Sequence, residues 1–245
     1  MTENTEPLVD RPLSGDPVAP LPAGLLPTRQ PLAGGTVRLE PVDPGRHAAE
    51  LYAASHGVAG GEALWRFLGY GPWADLAIFQ AWLRDCAAVH DPLFYAIRDG
   101  AGGRACGMAS YLNIVAKNGS IEIGHIWLAP MLQRTRAATE ALFLLMRYAM
   151  DDLRYRRLEW KCDALNAPSR RAARRLGFRF EGIFHQHMVV KGRNRDTAWY
   201  SILDGEWPAV RATIETWLAA SNFDEAGRQR RALSDLQGQG TPGGG

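Results

Sequence analysis

The chain has little with which to do metal, redox or membrane chemistry. Its three cysteines, Cys86, Cys106 and Cys162, lie far apart and without C-x-x-C spacing, which excludes a disulfide framework and a cysteine zinc site. No uninterrupted apolar run approaches the roughly 18 residues of a membrane span. The opening stretch MTENTEPLVDRPLSGDPVAP lacks the basic start and apolar core of a secretory leader. Excess charge is missing too: Lys+Arg 28 against Asp+Glu 26 leaves +2. No global field therefore steers the chain to nucleic acid or an anionic membrane, and any anion site must be local. A cytoplasmic protein is expected.

What is present is enough apolar sequence, 46% of 245 residues, for one sizeable core. Residues 1–34 are proline-rich and read as an extended arm, 35–220 as the folded body, and 221–245, ending in GQGTPGGG, as a flexible tail. Within the body the apolar period switches repeatedly. TVRLEPV, LFYAIRD, ACGMASYLNIVA, SIEIGHIWLAP and RRLEWKCDA read as strands, and FRFEGIFHQHMVVKGRNRDTAWYSILD as a strand pair turned at KGRN. GRHAAELYAAS, WADLAIFQAWLRDC and APSRRAARRL read as helices, the second with Leu76, Phe79, Trp82 and Leu83 on one stripe. LQRTRAATEALFLLMRYAMDDL reads as a further helix with Leu142, Leu145, Met146 and Ala149 inward and Thr139 and Glu140 near its start. Helices alternate with strands in the middle while hairpins flank them, so the sheet should be mixed.

Three features could carry chemistry. Gln133–Thr139 joins a strand to a helix, where unpaired N–H groups and the helix dipole can cradle a phosphate, although an ordinary capped helix has the same pattern. Arg170, Arg171, Arg174 and Arg175 make a basic stripe that suits solvent, a cofactor phosphate or nucleic acid. His185 and His187, two apart on a strand, are a permissible metal pair with no third ligand in view.

IEIGHIWLAPMLQRTRAATEA, taken with Asn166, Ser169, Gly177 and Phe178, resembles the GNAT superfamily of acyl-CoA-dependent N-acyltransferases, in particular its RimJ/RimL-like branch. That pattern is a strand E-I-G-(aromatic or His)-x-Leu, then Q/R-x-x-G-x-G/A, a helix beginning A-T-E-A, and later N-x-x-S and G-F. GYGPWADLAIFQAWL is similar to the branch's helix over the substrate side, and the resemblance spans Gly35 to Pro208. It implies an α/β domain of the α+β type with the GNAT fold. Such a domain has a mixed, mostly antiparallel central sheet, helices on both faces and a splayed strand pair at the acyl-CoA site.

The implied cofactor contacts are Ile126, Trp127 and Leu128 on the splayed strand and Gln133, Arg134, Thr135, Arg136, Ala137, Ala138 and Thr139 around the pyrophosphate. Asn166 would bond the pantetheine arm, Arg175 a coenzyme A phosphate, and Ser169 would donate to the departing thiolate. Glu122 and His125 are the candidate bases, but three residues apart they face opposite sides of a regular strand unless a bulge intervenes. Two positions depart from the family: Arg136 stands where its first motif glycine would be, and Met188 where some members have a glutamate base.

The implied reaction is transfer of an acetyl, succinyl or other acyl group from acetyl-CoA or another acyl-CoA to a primary amine by direct attack in a ternary complex, without a metal. Arg136 or Arg193 could pair with a succinyl carboxylate. The expected partners are an amine acceptor, small molecule or protein, and a second copy of the chain forming a homo-oligomer, in the first place a dimer. A non-catalytic acyl-CoA sensor or scaffold and a nucleic-acid-binding module remain as alternatives.

Overall fold

The computed structural model describes residues 17–22, 25–100 and 103–237. Strands β1 (Leu32–Ala33) and β2 (Val37–Pro41) come first. Helix α1 (Pro44–Ser55) is capped by Asp43, which accepts from the Gly45 and Arg46 N–H groups, and α2 (Leu76–Ala88) by Asp75. The hairpin β3 (Leu93–Asp99) and β4 (Ala105–Val115) leads to β5 (Ser120–Leu128). Helix α3 (Arg136–Arg147) follows and closes in a π turn over Tyr148–Asp152. Then come β6 (Arg157–Asp163), α4 (Ala167–Arg175), β7 (Arg179–Val190) and β8 (Arg193–Leu203). Helices α5 (Trp207–Leu218) and α6 (Leu233–Gln237) end the described chain.

The strands form one sheet in the order β1-β2-β3-β4-β5-β6-β8-β7. Neighbours are antiparallel except β5 and β6. One face packs Leu51, Trp65, Phe79 and Leu83 against Phe94, Met108 and Trp127. The other packs Leu142, Leu145, Met146 and Ala149 with Trp207 and Trp217 against Ile121, Ile123 and Tyr200. The mixed sheet covered on both faces is as the sequence led us to expect.

Details differ. Leu76 is 39% exposed, because it is the first residue of α2 and the packed face starts one turn later at Phe79. The cap of α3 is Thr135, whose hydroxyl accepts from the Ala138 N–H; Thr139 and Glu140 lie past the first turn and make tertiary bonds instead. Helix α5, for which the sequence reading has no element, starts with Pro208 in its first turn and buries Trp207, Ile214 and Trp217 at helical spacing.

The described residues next to both ends lie closer to the body than their composition suggests. Leu25 is buried and its carbonyl accepts from the Tyr155 hydroxyl. At the other end Leu233 is buried and the Gln237 side chain donates to the Arg175 carbonyl at 2.7 Å. Single apolar residues seated in the core anchor these segments, and composition averaged over a stretch does not reveal them. Residues 1–16 and 238–245, the outer parts of the expected arm and tail, lie outside the described residues.

Glu140 fastens α3 to the start of the sheet, accepting from the backbone N–H groups of Gly35 and Thr36 at 2.7 Å each. Removing the carboxylate in Glu140→Ala leaves both donors unpaired, and urea unfolding should show a loss of roughly 2 kcal/mol at unchanged slope. An unchanged midpoint would mean that the turn does not depend on this anchor.

Candidate active site

β5 and β6 pair over only three positions, Ser120↔Arg157, Ile121↔Leu158 and Glu122↔Glu159. Beyond them β5 stays with β4 through Met108↔Trp127 and Gly107↔Leu128, while β6 follows β8 through Lys161↔Trp199 and Asp163↔Thr197. The strands part into a wedge, and the edge of Ile126, Trp127 and Leu128 that faces β6 has no strand partner. Unpaired strand edges of this kind are ready to bond an extended ligand.

The wide end of the wedge meets the start of α3. Arg134 adopts a left-handed backbone, φ 62°, and turns the loop into the helix. Thr135 uses its hydroxyl twice, accepting from Ala138 N–H at 3.1 Å and donating to Leu132 O at 2.7 Å. The N–H groups of Arg136 and Ala137, at the first two helical positions, have no intrahelical acceptor and sit at the positive end of the dipole. A pyrophosphate fits such a cradle. Gln133 turns back instead, donating to Leu128 O at 2.9 Å.

Arg136 begins the helix with ordinary helical backbone, so the left-handed freedom of a glycine is needed at Arg134 and not there. Its guanidinium leaves the cradle: it donates to Leu218 O and lies 4.6 Å over the Phe223 ring. Arg175 donates to Thr139 Oγ1 at 2.9 Å and lies over Trp217, and burial lowers its pKa. Both arginines tie the C-terminal segments to α3 and α4. Arg170 is also engaged, with Tyr200 Oη and Ala164 O, which leaves Arg171 and Arg174 as the exposed half of the stripe.

On the β6 side Asn166 caps α4, its Oδ1 accepting from Ser169 N–H at 3.1 Å. Ser169 Oγ accepts from Trp160 Nε1 at 3.0 Å, and its hydroxyl also bonds the Cys162 thiol, which works against the rise that burial gives that thiol's pKa.

The opposite face of the wedge carries the titratable groups. Gly124 pairs with Ser110 and Trp127 with Met108, so β5 holds one extra residue in a bulge, and His125 takes φ 50°. Ile121 and Ile123 point into the α3 core, which puts Glu122 on the α1–α2 side. The bulge brings His125 to that side too, with Nδ1 3.2 Å from Tyr70 Oη and its ring 5.1 Å from Phe94. The two candidate bases therefore share a face.

Glu122 is 4% exposed, accepts from Asn113 Nδ2 at 2.6 Å and pairs with Lys161 Nζ at 3.0 Å. Burial raises its pKa, and the Lys161 charge and the Asn113 bond work against that rise. Lys161 also pairs with Glu159 at 2.8 Å and lies 4.0 Å over the Trp199 ring. His125 is pushed down to about 4, first by burial and then by the positive charge of Arg195, with Asp91 opposing. It is neutral near pH 7.

Arg195, Thr197 and Trp199 alternate along β8 on this same side. Tyr70 stacks on the His125 ring at 5.5 Å and on Trp73, and Trp73 and Trp82 lie 4.3 Å apart. Lys191, in the β7–β8 turn, donates to the carbonyls of Trp65 and Gly71 at 2.8 Å each and joins the hairpin to this aromatic loop. Trp65 Nε1, Trp127 Nε1, Trp199 Nε1 and Arg195 Nε are buried without an acceptor.

His185 and His187 do not share a face. Gln186 sits in a bulge at φ 50°, and the two rings bond Asp196 and Thr197, adjacent residues on opposite sides of β8. No group of three His, Cys, Asp or Glu gathers as metal ligands among the described residues.

The sequence reading does not single out Lys161 or Arg195. Their signal was present as alternation: Glu159 and Lys161 are two apart on one strand, as Arg195, Thr197 and Trp199 are on another. Which strands would be neighbours was the missing fact.

The family model described as "Acetyltransferase (GNAT) domain" matches residues 36–179. A GCN5-related N-acetyltransferase structure from Brucella melitensis is 50% identical with TM-score 0.84, covering 87% of this chain and 96% of that one. A probable GNAT-family acetyltransferase structure from Chromobacterium violaceum is 42% identical with TM-score 0.72, covering 83% and 100%. A Bacillus subtilis protein named "Putative ribosomal N-acetyltransferase YdaF" is 33% identical over 105 residues. That match spans 43% of this chain and only 57% of the relative.

The burial of His125 is directly measurable. Its ring resonances should titrate with a midpoint near 4. The unfolded chain takes up that proton near the ordinary histidine value of about 6.5, so this group makes stability fall as pH drops from about 6.5 towards 4. A midpoint at the ordinary value would contradict the packing against Tyr70 and Phe94.

Proposed function

Because the chain belongs to the GNAT acetyltransferase family, we propose that it transfers an acetyl group from acetyl-CoA to a primary amine by direct attack, without a covalent enzyme intermediate. The observation that carries this reading is the wedge: β5 and β6 part beside the free N–H groups that open α3. The wedge suits an extended pantetheine arm, and the α3 start a pyrophosphate.

Acetyl-CoA supplies an activated thioester carbonyl. The residues of the chain divide the remaining work. Unpaired backbone N–H groups around Trp127 and Leu128 are the donors for the carbonyl oxygen, and the Ser169 hydroxyl is the donor for the thiolate. Asn166 holds the arm through the amide nitrogen that its capping bond leaves over. Glu122 is the base for the amine: burial raises its proton affinity towards the useful range, and Lys161 keeps it ionised. Neutral His125 is the second acceptor on that face and passes the proton through water. These two groups make the family's glutamate position, Met188, unnecessary here; Met188 is 43% exposed on β7.

The acceptor we assign is the α-amine of a peptide. Trp199, half-buried on the wedge side of β8, has an indole N–H without a partner, which suits a peptide carbonyl and not a polyamine that brings only further donors. The name of the Bacillus subtilis relative is consistent with a protein acceptor. The reading includes a cytoplasmic location, which the three free buried thiols suit. It also includes a homodimer through the edge strand β7, where Phe184, Met188 and Val189 are 53%, 43% and 78% exposed. Light scattering should give twice the chain mass, reduced to one by Phe184→Glu.

Free thiol release from acetyl-CoA with peptides bearing an open N-terminus tests the reaction. Glu122→Gln should lower kcat/KM by about a hundredfold or more with acetyl-CoA affinity unchanged. No thiol release with any amine, or full activity in Glu122→Gln, would refute the assignment.

A further inference from the structure

The charged groups that line the wedge on the Glu122 side have internal partners, with one exception. Glu122 and Glu159 share Lys161, and Arg157 holds Glu159 at 2.7 Å. Asp91 accepts from the N–H groups of Asn113 and Ile114 at 3.0 Å each. Lys191 is bonded to two carbonyls. Arg195 is different. Its Nε is buried with no acceptor, and among the described residues no ion pair or hydrogen bond reaches its guanidinium.

Its two terminal nitrogens are not among the buried unpartnered atoms, so the charged end stays open to the wedge while Nε lacks an acceptor; a buried donor left without a partner is costly, and a ligand that reaches the open end of the fork can complete it. Trp199, on the same face of β8, holds a second buried N–H donor without an acceptor. The fork of a guanidinium matches the two oxygens of a carboxylate. We propose that Arg195 is the anchor for a carboxylate that a substrate carries into the wedge.

The facing strand agrees with this polarity. His125 is held uncharged there, Lys161 is taken up by Glu122 and Glu159, and among the described residues no carboxylate pairs with Arg195. Arg136 is committed to Leu218 and Phe223, and Arg193 is exposed at the start of β8, which leaves Arg195 in the position a substrate carboxylate needs. Such a carboxylate can arrive on either substrate: as the free end of a dicarboxylic acyl group on coenzyme A, or as an acidic side chain next to the acceptor amine. The inference rests on the acyl-transfer reading, which supplies both substrates.

The test compares wild type, Arg195→Gln and Arg195→Lys on two pairs of probes. The donor pair is succinyl-CoA against acetyl-CoA, and the acceptor pair is a hexapeptide beginning Ser-Asp against one beginning Ser-Asn, offered to the acetyl-CoA-saturated protein. Calorimetry gives affinity and thiol release gives kcat/KM. One pair should favour the carboxylate-bearing member by about tenfold in the wild type, with the preference lost in Arg195→Gln and partly restored in Arg195→Lys. Selectivity in the donor pair assigns the carboxylate to the acyl group, and selectivity in the acceptor pair assigns it to the peptide. No preference in either pair, or an equal effect of Arg195→Gln on all four probes, would overturn the proposal. If no probe releases thiol the transfer reading fails separately, and the calorimetric comparison still decides the role of Arg195.

Discussion

The organisation of the protein depends on one broken ladder. Parallel strands β5 and β6 hold together for three residue pairs and then each follows its antiparallel neighbour, β4 or β8. Backbone N–H and C=O groups left unpaired in a sheet interior are expensive, and under the proposed function a ligand that enters the gap pairs with them. The α3 start lies at the open end of the gap, the α4 cap lies on its β6 side, and the aromatic loop and β7–β8 hairpin close over its other face.

The gap also sets the electrostatics. Glu122 and Glu159 stand opposite each other at the last paired position, and two carboxylates there would repel; Lys161, the next residue on that face of β6, reaches both. Past that point that face carries a neutral histidine, the half-buried Trp199 and Arg195. A carboxylate lies at the apex and donors lie further out, an arrangement that suits the proposed removal of a proton from an amine while holding oxygen atoms beside it.

Much of this was legible in the sequence, for identifiable reasons. The long apolar periods of α3 and of β3 to β6 survive in the structure because each buries one face against the same sheet, and the run from Glu122 through Thr139 carries the strand, loop and helix start contiguously. What sequence could not supply was set by long-range contacts or by backbone irregularity. The His125 bulge puts that ring beside Tyr70, and the Gln186 bulge separates His185 from His187. Spacing rules assume a regular strand and fail at both places. Arg136 and Arg175 read as phosphate ligands by position, yet they bond Leu218 and Thr139 because α5, which the sequence reading lacks, packs against that end of α3.

The central claim is that acetyl-CoA lies between the parted strands with its pyrophosphate on the opening turn of α3. Backbone amide shifts of the 15N-labelled protein on addition of acetyl-CoA test it most directly. The account predicts the largest changes at Ile126–Leu128, Arg134–Ala138 and Asn166–Ser169, with little change in β1–β3. Shifts confined to other surfaces, or none at saturating acetyl-CoA, would contradict it.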